Sequence, residues 1–139
     1  MDSSIADAEF IRSFEDCSLE GERFHHTDHI RLAWLYLNRF SMIDALQRFS
    51  SGLRRFAESK GAPTLYHETI TWGYLFLIGE RMEKSEDWST FAARNDDLFS
   101  WRPSLLDEYY HSETLYSDRA RSSFVMPDRI RSGVDHQRS

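Results

Sequence analysis

Two short segments carry most of the side chains capable of chemistry: Phe24-His25-His26-Thr27-Asp28-His29-Ile30-Arg31-Leu32-Ala33-Trp34 and Tyr66-His67-Glu68-Thr69-Ile70-Thr71. They hold four of the chain's six histidines. Helix positions three apart share a face, so His26 and His29 can converge on one ion or polar ligand while His25 points elsewhere. His67 precedes Ile70, Thr71 and Tyr74, a face that runs into the core, and Glu68 stands about 100 degrees round the axis from it. Three imidazoles from two helix starts, with a carboxylate beside them, suit a divalent site for zinc, nickel or iron(II) with His26, His29 and His67 as ligands. An open coordination position would hold a water activated for hydrolytic or oxidative chemistry, with Glu68 as catalytic base or further ligand. Asp28 and Glu68 could instead orient imidazole N–H groups from behind.

The same residues support two other readings. The same pocket without a metal would bind a small molecule, with Asp28 and Thr69 among its ligand-binding residues and Trp34, Tyr66, Trp72 and Tyr74 as apolar walls. A buried polar network would join the imidazoles to Glu68, Thr69, Tyr66 or backbone groups and hold two helices in register, the protein then acting through protein partners. Trp101, Tyr109, Tyr110 and Tyr116 would supply such a partner surface, although aromatic residues at such spacing are core more often than interface. His111 reads as a surface histidine or a group at a pocket mouth. No His-Glu-x-x-His motif occurs, no Glu-x-x-His pair on each of two helices, and no adjacent His-Asp pair, the order here being Asp28-His29. Nucleophilic catalysis lacks support, since no serine lies in a Gly-x-Ser-x-Gly turn and Cys17, read as an apolar filler, has no base at a diagnostic spacing.

Composition narrows the setting. Seventeen basic against 23 acidic groups leave a net charge of −6, and no run is rich in Lys and Arg, which argues against nucleic acid and anionic membrane as partners. The longest strongly apolar segment, Ile70 to Gly79, is half the roughly 20 residues that a spanning helix requires. With a lone cysteine and no charged-then-apolar leader, the expected setting is reducing and cytoplasmic.

Positioning the histidines falls to helices. Hydrophobic residues at 40% and aromatics at 14% imply one packed domain over residues 1–126, with residues 127–139, including His136, as a flexible tail. Three prolines, six glycines and no alternating apolar pattern point to an all-α fold, an irregular bundle of four main helices with short C-terminal helices. Apolar spacing predicts helices from about Ser4 to Asp16, from His25 or Thr27 to Arg39, from Ser41 to a left-handed stop at Gly61, and from about Thr64 to Met82. The fourth is apolar on nearly all sides and should be buried. Shorter helices are expected from Trp88 to Asn95, from Pro103 through Tyr110, and from Asp118 to Ser123 behind a Ser117 cap.

Phe24-x-His26-x-x-His29-Ile30-x-Leu32-Ala33-Trp34-x-Tyr36-Leu37, followed by Gly61, Tyr66-His67-Glu68-Thr69-Ile70-Thr71 and later Leu115-Tyr116-Ser117 with Ala120-Arg121, resembles a group of small uncharacterised bacterial proteins. The resemblance runs from about Phe24 to Asp128. It implies a helical fold and a shared pocket built on His26, His29, His67, Glu68 and Thr69, and no particular activity. In that pattern a polar capping residue is expected where His25 stands.

Overall fold

A computed structural model of the chain describes residues 3–101 and 103–129. The described residues form seven α-helices joined by 3₁₀ turns and loops, with no β-strand among them. In order these are α1 (Ser3–Glu15), α2 (His26–Arg39), α3 (Met42–Ser59), α4 (Glu68–Arg81), α5 (Trp88–Arg94), α6 (Ser112–Leu115) and α7 (Asp118–Ser122). Helices α2 and α4 make the most extensive pairing, α3 leans on both, and α1 packs on α2 and α3. The chain after α5 lies across α4, chiefly through α7 and the 3₁₀ turn Leu105–Glu108. Among the described residues no helix is long and apolar enough to cross a membrane.

Local chemistry sets most helix limits. Side chains of Ser41, Asp87 and Ser117 accept the amides of Asp44, Thr90 and Ala120 and so start α3, α5 and α7. Gly61, past the end of α3, takes the expected left-handed geometry with φ of +72°. The fourth helix starts later than its apolar pattern predicts. Pro63–Leu65 winds as a separate 3₁₀ turn, and α4 begins at Glu68 because the His67 side chain caps it. The stretch from Pro103 to Tyr110 likewise forms only the 3₁₀ turn Leu105–Glu108, held where Ser104 accepts the Leu106 amide and Asp107 accepts the Ser104 amide. The Arg129 amide donates to the Tyr109 carbonyl at 3.0 Å, and Asp128 accepts the His111 amide at 2.9 Å, so the chain stays bound through Arg129. Residues 130–139, His136 included, lie outside the described residues.

Phe14 of α1 is the centre of the main core. Its ring, 1% exposed, is surrounded by Phe24, Tyr36, Phe49 and Phe56 at centroid distances from 5.7 to 6.3 Å. Gly52 of α3 permits this close approach, since a Cβ there would stand 2.8 Å from the Phe14 ring. A second aromatic group, Trp34 with Trp88 and Phe91 at 5.5 and 6.1 Å, fixes α5 to α2. Gly52→Ala is therefore expected to lower stability by roughly 1–3 kcal/mol in denaturant unfolding, because the caged ring cannot retreat. Gly79→Ala is the control: its Cβ would meet only the flexible end of Met42, and the gain in helix propensity should leave stability unchanged or about 1 kcal/mol higher.

Candidate functional site

The first turn of α4 decides what His67 can do. An N-terminal helical turn leaves amides without intrahelical acceptors, and His67 Nδ1 accepts the Ile70 amide at 3.1 Å. With Nδ1 acting as acceptor, a neutral ring carries its proton on Nε2, which donates to the Leu115 carbonyl at 2.7 Å. That carbonyl ends α6. One imidazole therefore caps the start of one helix and the finish of another. Burial lowers its pKa, opposed by the hydrogen bond to Leu115, which keeps the neutral form that this double role requires.

His26, in the first turn of α2, shares one half of this arrangement. Its Nε2 donates to the Leu98 carbonyl at 2.9 Å, within the 3₁₀ turn Asp96–Phe99, and burial again lowers its pKa. His29 faces the other way. Its ring stacks on Phe24 at 4.0 Å and 21°, and burial, reinforced by the nearby His26 and His25, drives its pKa down to about 4. His25 itself is the residue before α2, and its amide donates to Asp28 at 2.9 Å.

The expected metal centre is thus not assembled. His26 and His67 direct Nε2 to separate backbone carbonyls, and His29 packs into the core beside Phe24. Among the described residues, no three His, Cys, Asp or Glu side chains stand close enough to share an ion. The remaining expected site residues are also engaged. Glu68, assigned as catalytic base, accepts the Tyr66 hydroxyl and Arg54 Nη2, the latter at 3.2 Å, while the Arg54 guanidinium lies over the Tyr66 ring. Burial, then the bond to Glu68, pushes the Tyr66 phenol well above its ordinary pKa. Thr69, fully buried, donates its hydroxyl to the Ser123 carbonyl at 2.8 Å and accepts the Val125 amide at 3.1 Å. Asp28 serves the start of α2, and Trp34 packs on Trp88 and Phe91. Asp28 and Glu68 remain partly exposed, whereas Trp34, Tyr66 and Thr69 are buried.

What the motif residues do together is fasten the C-terminal segment to the bundle. His26 holds Leu98, Tyr74 bonds Ser104 at 2.7 Å, His67 holds Leu115, and Thr69 holds Ser123 and Val125. The fastened segment encloses an open groove of about 950 Å³. Its aromatic lining is Trp101, Tyr110 and Tyr116, and its charged lining is Asp107, Glu113 and Arg129, with His111 among them. Trp101 and Tyr116 are 44% and 53% exposed, whereas Tyr110 is buried with its hydroxyl on the Val125 carbonyl. The His26 ring lies 4.8 Å from that of Trp101 and 5.2 Å from that of Tyr74, and the His67 ring stands edge-on to Tyr116 at 6.4 Å. Asp107, Glu113 and Arg129 were not singled out by sequence reasoning. The available signal was a segment dense in aromatics yet too short in each helix to hold a core of its own.

No protein-family model, curated protein or solved structure matches this chain.

His67→Ala removes a cap and strands the Leu115 carbonyl, for an expected loss of roughly 2–3 kcal/mol in unfolding experiments. His67→Asn restores only the cap and should recover about 1 kcal/mol of that. His29 gives a pH signature. Its pKa is lower in the folded chain than the ordinary 6.5, so the unfolded chain binds more protons between these values and stability falls with pH. Unfolding followed from pH 7 to 4 should show a loss of up to about 3 kcal/mol from this group, flattening below about pH 4, and His29→Leu should remove the steepest part of it.

Proposed function

We propose that the protein is a metal-free small-molecule binding module whose site is the groove between Trp101 and Tyr116. One observation carries this reading: two exposed aromatic rings line a single concavity, and each rests against an imidazole of the helix-start motif. A volume of about 950 Å³ lies at the upper end of what small-molecule sites occupy. The rings offer flat apolar faces for an unsaturated or aliphatic body, and Asp107, Glu113, His111 and Arg129 offer polar groups to orient it. The motif residues act on the ligand from behind. His26 and His67 set the positions of Leu98 and Leu115, and with them the strand of chain that carries each ring.

The geometry favours this over a metal-dependent hydrolase, because both nitrogens of His67 and Nε2 of His26 are engaged with backbone groups while the His29 ring is stacked on Phe24. The test is a ligand-observed NMR screen of a fragment collection against the wild type and Trp101→Ala. Trp101 is 44% exposed and its ring rests on His26, so its removal should cost about 1–2 kcal/mol, and unfolding of the variant is followed alongside the screen to confirm that it is folded. Fragments that bind the wild type should lose at least about 1 kcal/mol of affinity on the variant, the worth of one aromatic contact. Hits that bind both proteins equally would remove the groove as the site.

A further inference from the structure

We infer that the groove selects organic cations, namely an ammonium group carried on an aromatic or aliphatic body. This rests on the groove being the binding site and adds the charge of its ligand. Among the described residues, two carboxylate residues, Asp107 and Glu113, line the groove against one guanidinium, Arg129. That guanidinium is partly used, since its Nη1 donates to the Asp107 carbonyl at 2.6 Å. Asp107 is partly used as well, accepting the Ser104 amide at 3.1 Å. A third carboxylate, Asp128, adjoins His111 and is held in its ionised form by the Thr114 hydroxyl and the His111 amide.

Glu113 differs from these. It is exposed, lines the groove, and has no hydrogen-bond or ion-pair partner among the described residues. A carboxylate in the first turn of a short helix is ordinary, so its charge alone would carry nothing. Its position on a groove walled by Trp101 and Tyr116 gives it a use. Aromatic faces attract cations through the ring quadrupole, and an unpaired carboxylate beside them adds a counter-charge. Among the described residues an anionic ligand would meet the reverse: two carboxylates on the lining and a third beside it, against one guanidinium. His111 alters that balance only when protonated.

Three probes of nearly equal shape separate the outcomes: phenethylammonium, 3-phenylpropionate and 3-phenylpropan-1-ol. Each is titrated into the full chain at neutral pH and low salt, following the Trp101 indole N–H signal, identified by its loss in Trp101→Phe. Affinity should fall in the order ammonium, alcohol, carboxylate, with the ammonium about threefold tighter than the alcohol. Glu113→Gln should abolish most of that preference, weakening the ammonium far more than the alcohol, and added salt should act in the same direction. Equal binding of all three probes, tighter binding of the carboxylate, or an ammonium preference that survives Glu113→Gln would each overturn the inference while leaving the groove as a binding site. A Trp101 signal that no probe moves would overturn both.

Discussion

The hydrogen bonds of one imidazole join the start of one helix to the end of another that is 48 positions along the chain. His67 accepts from the Ile70 amide and donates to the Leu115 carbonyl, so the start of α4 and the end of α6 cannot separate without leaving polar backbone groups unsatisfied. Helix α6 spans only Ser112–Leu115 and could not persist alone. Its position is inherited from the helix beneath. The same holds for the 3₁₀ turn that His26 reaches at Leu98 and for the segment that Thr69 holds at Ser123 and Val125.

That dependence explains why the imidazoles must be neutral. A protonated His67 has no lone pair for the Ile70 amide, so the cap would be lost. Burial supplies the bias in each of His26, His29 and His67 by penalising the charged ring. His29 is the extreme case, stacked on Phe24 at the edge of the cage around Phe14. His26 and His67 thus connect the bundle to the segment of short helices, while His29 packs within the bundle.

The division of labour follows from packing. Helices α1 to α4 bury large side chains against one another, with Phe14, Tyr36, Leu75 and Ile78 almost wholly enclosed. The C-terminal layer has fewer apolar side chains to bury and relies on polar ties to backbone carbonyls. It leaves Trp101 and Tyr116 half in solvent, on the concave side, where the charged side chains Asp107, Glu113 and Arg129 also lie.

Sequence alone determined the helical architecture, because 3.6-residue spacing, the Gly61 stop and the Ser41 and Ser117 caps are local properties of the chain. It also marked His26, His29 and His67 as residues with a special task, and it admitted a buried polar network among the tasks on offer. It could not say which, since a histidine at a helix start looks the same whether its free nitrogen faces an ion or a carbonyl. The start of α4 at Glu68 rather than near Thr64 had the same origin: a side chain capping its own helix is invisible to apolar periodicity. Only the tertiary structure placed Leu98 and Leu115, 72 and 48 positions along the chain, opposite the imidazoles of His26 and His67. The groove followed from that placement. Trp101, Glu113 and Tyr116 are separated in sequence and carry no shared spacing, so their meeting in one concavity depends on how the short helices are fastened, and no local pattern encodes it.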